Sequence, residues 1–402
     1  MPMRGPGRDG ARTRRLNLIT TTDALARFCA EAREAPYVTC DTEFLRERTY
    51  YAQLCLVQLA LPGTTDANAV LVDTLAEGLS LEPLHELFRA PATVKVFHAA
   101  RQDLEIFATT AGVLPEPFFD TQVAAMVCGY GDQVGYETLV RQIARASVDK
   151  SSRFTDWSTR PLSAAQMTYA LADVTHLRKI YEVLSRRLQE TGRSAWVAEE
   201  LAALTDPATY QSPPEDAWLR IKTRSTAPRF LAALRELARF REEAAQAKDV
   251  PRGRILKDDA LLELAANRPK THEELGRSRL LLREGRRGDI ADGILAAIAA
   301  AERLPEGAVT LAQEILPRKT GSMALAELLR VLLKARSEAE GVAQRLIASS
   351  ADLDLLAAEA SPDIPALHGW RLEVFGRDAL RLKRGEIALS AAGDSVRVIE
   401  LA

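Results

Sequence analysis

YVTCDTEFLRERTYYAQLCLVQLAL, residues 37–61, is the stretch whose reading decides the fold. Its two ends, Tyr37 to Glu43 and Leu54 to Leu61, are short β-rich runs, and Pro62-Gly63 then turns the chain into a third run, Ala69 to Asp73. Three such runs in succession predict adjacent strands. Ahead of them, Leu25, Phe28, Cys29 and Ala32 recur at helical spacing between Thr22 and Ala35, and Pro36 stops that helix. Behind them the pattern alternates: a helix over Leu81 to Phe88, a strand at Val94 to Phe97, a helix over Arg101 to Ala108, a strand at Phe118-Phe119 and a helix from about Gln122. Ser163-Ala164-Ala165-Gln166 fits a capping box, in which the Ser side chain takes a free backbone N–H and the Gln reaches back, so a long helix should begin at Ala164 and run to about Glu190. Strands followed by strand-helix alternation imply an α/β domain: a mixed five-stranded sheet flanked by helices on both faces.

Past Leu188 the character changes. Ala, Leu, Arg and Glu dominate, Val and Ile thin out, and Gln211-Ser212-Pro213-Pro214 marks a linker. The expected organisation is a basic arm over residues 1–15, an α/β domain over 16–190, a linker over 191–225, and two all-α units over 226–306 and 310–402, divided at Leu304-Pro305-Glu306-Gly307. The two helical units have similar helix lengths, as a degenerate repeat would. At the far end, Ile387-Ala388-Leu389 and Val396-Arg397-Val398-Ile399 could form a small hairpin.

Composition narrows the classes. The chain has 402 residues, 47% apolar and 27% charged, enough to bury more than one core. Its four cysteines (Cys29, Cys40, Cys55, Cys128) form no CxxC pair, which points away from a disulfide framework or a zinc site and toward buried thiols in a reducing cytoplasm. The opening MPMRGPGRDGARTRR lacks the apolar core of a secretion signal, and no run of eighteen apolar residues suggests a membrane span. A net charge of −2 removes whole-molecule attraction to nucleic acid, so any phosphate contact must come from local basic patches. Nothing in the composition signals an obligate protein partner.

The chemistry concentrates in three places. Asp41 and Glu43 are two apart at a strand end, so their side chains leave one face together; like charges so close repel unless a cation lies between them. A solvated strand end carrying two ordinary acids would look the same. Tyr169 and Asp173 stand at i and i+4 on the long helix, a spacing shared by many half-buried aromatics beside surface acids. Asp103 follows the strand at Val94 to Phe97, near the carboxyl end where α/β folds place ligands. Asp73 and Asp120 are rival acids at strand ends, and Asp120 reads as a helix N-cap. His98 reads as a strand-end residue rather than a metal ligand.

Asp-x-Glu, then an Asp in a later motif, then Tyr-x-x-x-Asp resembles the DEDD exonuclease superfamily in its tyrosine-bearing subgroup, whose fold is ribonuclease H-like. The run Asp41 to Leu54 is similar to the first motif of the ribonuclease D family. Asp156-Trp157-Ser158-Thr159-Arg160-Pro161-Leu162-Ser163 with Tyr169-Ala170-Leu171-Ala172-Asp173-Val174 is similar to its third. The segment from Thr226, with Leu231, Leu234, Leu237, Ala238, Phe240, Arg241 and Arg254-Ile255-Leu256-Lys257-Asp258, resembles an HRDC domain, and the last ninety residues resemble a second one loosely. Thr155 stands where a Ser is expected before Asp-Trp, and Phe240 where a Trp is common.

The resemblance implies a 3′-to-5′ exoribonuclease that uses two divalent metal ions, Mg²⁺ or Mn²⁺, releases nucleoside 5′-monophosphates, and trims RNA with a free 3′ end, tRNA precursors among them. It implies Asp41 as the ligand shared by both metals, Glu43 and Asp173 completing the one that holds the water, Asp103 supporting the second, and Tyr169 orienting the nucleophile. With an ordinary pKa near 10, a phenol is a poor base at neutral pH, which suits positioning. Around these, Thr42, Phe44, Leu45, Arg46, Lys150 and Arg160 are candidate substrate contacts, Phe44 and Leu45 as a wedge under the terminal base. In the tail, basic residues crowd between Arg268 and Arg287, and Arg277, Arg279, Arg286 and Arg287 are the candidate phosphate contacts, although such a run is often only a solvated face. Two rivals remain: a DNA-directed exonuclease of proofreading or Werner type, since the metal chemistry is blind to the sugar, and a catalytically inactive RNA-binding protein on the same scaffold.

Overall fold

The computed structural model describes residues 18–149, 151–281, 284–305, 307–309 and 322–401. The expected basic arm over residues 1–15, Lys150, and the start of the last unit at Thr310 lie outside them.

The sheet has six strands in the order β1-β4-β3-β2-β5-β6: β1 Leu18–Ile19, β2 Tyr37–Leu45, β3 Gln53–Ala60, β4 Ala69–Asp73, β5 Val94–Phe97 and β6 Phe118–Asp120. The expected number was five. The extra strand is β1, whose two residues pair in parallel with Leu71 and Val72 of β4. Two residues are too few for any alternation to register in a sequence. β3 runs antiparallel to both β2 and β4, while β5 pairs in parallel with β2 and β6 with β5, so the sheet is mixed.

Helices cover both faces. α1 (Thr22–Arg33), α2 (Glu82–Arg89) and α3 (Arg101–Ala111) enclose one core with Val38, Cys40, Val57 and Leu59. After α4 (Thr121–Val127) and the short α5 (Tyr136–Leu139), α6 (Ala164–Glu190) lies across the other face against Leu56, Ala60 and Leu71. The capping box forms as expected: Gln166 N donates to Ser163 Oγ at 3.2 Å and Ser163 N to Gln166 Oε1 at 3.0 Å, which fixes where α6 starts and is worth about 1 kcal/mol. All four cysteines are free and buried.

Residues 191–225, expected as a linker, carry α7 (Ser194–Thr205) and two 3₁₀ turns. α7 packs Val197 and Leu201 under α4 and α6, so it extends the first domain. Its apolar residues are too few beside Ala and Glu for its packing face to stand out. Next comes a helical unit with its own core: α8 (Pro228–Lys248), α9 (Arg252–Ile255), α10 (Asp258–Asn267), α11 (His272–Gly276) and α12 (Gly288–Arg303). Among the described residues the last unit opens with α13 (Met323–Glu340), and it is not all helical: Ile387–Ala392 pairs antiparallel with Ser395–Glu400, the hairpin whose alternation the sequence carries.

Both helical units dock on the α/β domain. The backbone N–H groups of Tyr50 and Tyr51, in the loop after β2, both donate to Asp249 Oδ1 at 3.0 Å. The Tyr50 hydroxyl meets Glu242, Gln246 and Arg252, whose guanidinium lies 4.8 Å over the Tyr50 ring. Burial works to raise the pKa of Glu242, but hydrogen bonds from Arg252 and Tyr50 outweigh it and lower the pKa. Against the last unit, Trp196 stacks on Trp370 with centroids 4.5 Å apart, Arg371 pairs with Glu199 and Glu200, and Ala343 N donates to Met126 O at 3.0 Å. Gly129 is required there: a Cβ would lie 2.6 Å from Gly341 O, and its φ of +79° already disfavours side chains.

Candidate active site

β2 and α6 bring three carboxylates together. Asp41, Glu43 and Asp173 each offer an oxygen, and the three oxygens lie within 4.8 Å of one another. Asp41 and Glu43 share a face of β2 because they are two apart, and a bulge between Glu43 and Phe44 shifts the register with β3 just beyond them. Asp173 comes down onto them from α6, one turn after Tyr169.

Burial pushes Asp41 well above the usual carboxylate range, with the charges of Asp103, Asp173 and Glu43 adding to the effect. Burial and the charges of Asp173 and Asp103 raise Glu43 to about 9, and burial raises Asp173 to about 7. Three acids that each resist ionisation beside the others form a hole for positive charge, and their hard oxygens suit Mg²⁺ or Mn²⁺.

Asp103 stands in the first turn of α3, where the helix dipole favours a carboxylate. It is buried and accepts a hydrogen bond from the Thr42 hydroxyl, and burial holds it near 7. It faces Asp41 electrostatically without joining the trio. Thr42, a candidate substrate contact, therefore has its hydroxyl turned inward, where it supports Asp103.

Burial raises the Tyr169 phenol further above its ordinary pKa, with the charges of Asp173, Glu43 and Asp41 adding to the effect, while its hydroxyl works against the rise at Asp173. It is no base; it lines the cleft beside Asp173 and presents an oxygen to it. Tyr169→Phe should cut kcat on RNA by about 10- to 100-fold while binding and melting temperature hold; a fall in affinity at constant kcat would make it a binding residue.

The rival acids are engaged elsewhere. Asp73 pairs with Arg160, Nη2 at 2.7 Å and Nε at 2.9 Å. Asp120 caps α4 through Gln122 N and also accepts from the N–H groups of Ala99 and Ala100, pinning the turn into α3. His98 is held by the Thr121 hydroxyl at 3.0 Å and lies outside the carboxylate trio.

Arg160 corrects an expectation. Besides Asp73, its guanidinium donates to the carbonyls of Cys55, Trp157 and Thr159, so it staples the segment before α6 to the sheet and has no donor left for a phosphate. Arg46 is paired with Glu105 at 2.6 Å on the surface. Leu45 packs against the core beneath α6, and Phe44 is half-buried beside it.

The cation that faces the site is one the sequence reading passed over. A cleft of about 290 Å³ is lined by Asp41, His98, Tyr136, Tyr169, Asp173 and Arg153, the one Arg or Lys among the described lining residues. Arg153 sits in a loop, where no periodicity marks it. The residue type fits a phosphate, so Arg153→Ala should raise KM for RNA about tenfold with a smaller loss in kcat; an unchanged KM would remove it from the substrate path.

In the tail, Arg286 donates to the carbonyls of Leu281 and Ser278 and Arg277 pairs with Glu273 at 2.6 Å, while Arg279 and Arg287 stand exposed.

A 3′-5′ exonuclease family model matches residues 16–189, and an HRDC domain model matches residues 230–298. The fold thus defines a 3′-5′ exonuclease unit joined to an HRDC domain. Ribonuclease D of Jannaschia sp. (strain CCS1) is 62% identical over 383 residues, covering 95% of this chain and 99% of that protein. Ribonuclease D of Granulibacter bethesdensis is 52% identical over 385 residues, covering 95% and 96%. The crystal structure of Escherichia coli RNase D, described as an exoribonuclease involved in structured RNA processing, superimposes with a TM-score of 0.78 at 30% identity, covering 92% of this chain and 99% of that one. The chain belongs to the ribonuclease D family of 3′-to-5′ exoribonucleases.

Proposed function

We propose that this chain trims RNA, tRNA precursors among its substrates, from the free 3′ end by hydrolysis at two divalent cations, Mg²⁺ or Mn²⁺, releasing nucleoside 5′-monophosphates. The observation that carries the reading is the meeting of the Asp41, Glu43 and Asp173 oxygens within 4.8 Å beneath a cleft that Arg153 lines. An all-oxygen donor set with no Cys or His fits hard cations, and the raised carboxylate pKa values are the electrostatic counterpart of that fit.

Asp41, Glu43 and Asp173 would hold the cations, with Asp103 as a more distant carboxylate. Cations bound there would supply acidity to the attacking water and offset negative charge at the leaving oxygen. The remaining work falls to the chain's own groups. Tyr169, beside Asp173, orients the water; Arg153 meets a phosphate oxygen; Phe44 supports the terminal base just past the bulge in β2. Water adds to the last phosphorus, the bond to the penultimate 3′ oxygen breaks, and that oxygen leaves as the new 3′-hydroxyl after taking a proton.

The HRDC match favours RNA over a proofreading role, and all five polar positions of the site are filled, which disfavours an inactive scaffold. Matched RNA and DNA oligonucleotides incubated with and without EDTA test the reading. RNA should shorten from its 3′ end, EDTA should stop it, and DNA should be cut more slowly. Equal cleavage of DNA, or cleavage in EDTA, would overturn it. Among the described residues no helix is long and apolar enough to cross a membrane, which suits a cytoplasmic enzyme.

A further inference from the structure

Gln58 lies in the middle of β3 and is fully buried, yet neither Nε2 nor Oε1 has a hydrogen-bond partner. A buried amide left unsatisfied costs about 1–3 kcal/mol, so its place in a sheet core needs a reason. Both atoms are orphaned, and turning the amide round changes nothing.

The surroundings restrict what the amide can serve. Leu56 and Ala60, two residues to either side, pack under α6, whereas Val57 and Leu59 belong to the opposite core, so Gln58 points to the α6 face. Its direct cross-strand partners are Asp41 on β2 and Leu71 on β4. Partners of this kind project side by side, with Cβ atoms about 4.5–5.5 Å apart. The diagonal neighbours are Thr39 and Glu43 on β2 and Ala69 and Asp73 on β4. Thr39 directs its hydroxyl to the carbonyls of Ala60 and Val174, and Asp73 is held by Arg160. Leu71, Ala69, Ala170 and Val174 are apolar. Among these cross-strand and diagonal neighbours, the polar side chains with no side-chain partner among the described residues are the carboxylates of Asp41, directly opposite, and Glu43, one step further.

We propose that Gln58 is a positioning residue for Asp41: across one enclosed water its amide donates toward the Asp41 carboxylate and holds it in the orientation in which Asp41, Glu43 and Asp173 share a cation. The inference rests on Asp41 being a cation ligand. Ligating carboxylates are themselves held by hydrogen bonds from behind, and losing such a support costs roughly 10–100-fold in metal affinity or activity. A Met or Leu at this position would fill the space without an orphaned amide, so the amide sacrifices stability for the site.

The full-length chain tests this with Gln58→Met, Gln58→Leu and Asp41→Asn, by melting temperature across a Mn²⁺ titration and by kcat and KM on single-stranded RNA. Both Gln58 variants should melt at or above the wild-type temperature without divalent cation. They should also need about tenfold more Mn²⁺ for half of the thermal shift and lose about 10- to 100-fold in kcat at unchanged KM. A wild-type Mn²⁺ titration and kcat in both would overturn the proposal. So would a lower cation-free melting temperature or failure to fold in both, since the amide would then serve packing. Asp41→Asn keeps the two readings apart. If it retains the Mn²⁺ response, the cation site itself is misassigned; if it loses the response while the Gln58 variants keep theirs, only the role of Gln58 falls.

Discussion

Asp41→Asn should lose about 10³-fold or more in RNA cleavage, roughly 4 kcal/mol of barrier, while the protein stays folded. Asp41 is the residue on which the charges of Asp103, Asp173 and Glu43 all act, so its carboxylate is central to the cluster. Asn keeps the shape but gives up the charge that a shared ligand must supply. Stability should respond with the opposite sign. Without cation, the substitution removes one of three mutually repelling carboxylates from a buried site, so the melting temperature should hold or rise. With cation, the wild type should gain about 2.7 kcal/mol at a concentration 100 times its Kd, a shift on the order of 5–10 °C for a domain of this size, and Asp41→Asn should gain far less. Differential scanning fluorimetry in EDTA and in millimolar Mg²⁺, beside a gel assay of RNA shortening, reads both. Near-wild-type cleavage would sink the site assignment, and a lower melting temperature in EDTA would recast Asp41 as a structural residue.

What sequence reveals here follows the reach of each interaction. Asp41 with Glu43, and Tyr169 with Asp173, are local pairs whose common face follows from strand and helix periodicity, and the Ser163-Gln166 capping box is local too. The meeting of the two pairs depends on how α6 crosses the sheet, which periodicity does not encode; a family resemblance supplies it. Arg160 departs from expectation for the same reason. Its partner Asp73 lies 87 residues away, and nothing in the run from Asp156 to Ser163 says that its guanidinium folds back onto the sheet. Arg153, a few residues earlier, looks no different in sequence and faces the cleft. Gln58 passes unnoticed in an apolar strand because its significance lies in a register, Asp41 opposite Gln58, that only pairing creates.

Ending the chain after Ser212 should leave an active nuclease that has lost its hold on structured RNA. The catalytic core lies between Ile19 and Tyr210, and cutting after Ser212 spares α7 and the packing of Tyr210. Two docking surfaces are opened: Trp196 loses its stacking partner Trp370, and Tyr50 loses Glu242, Arg252 and Asp249. The truncated protein should therefore melt several degrees lower yet still shorten unstructured RNA, because its ligands and Arg153 are untouched. A folded precursor makes a different demand: its duplex must be held while only the unpaired 3′ end enters the cleft. Among the four described tail candidates, Arg279 and Arg287 are exposed with no side-chain hydrogen bond, whereas Arg286 is tied to two carbonyls and Arg277 pairs with Glu273, so the first two are the better placed to meet phosphates. Every phosphate that is no longer neutralised should lower the slope of log K against log salt by about 0.9, so Arg279→Ala with Arg287→Ala in the full-length chain should flatten it by about two units, and the truncation by at least as much. Affinity and slope must fall together. If the truncated enzyme binds a tRNA precursor with unchanged affinity and slope, the helical units do not grip RNA through these residues, and their contribution is to brace the nuclease at Tyr50 and Trp196.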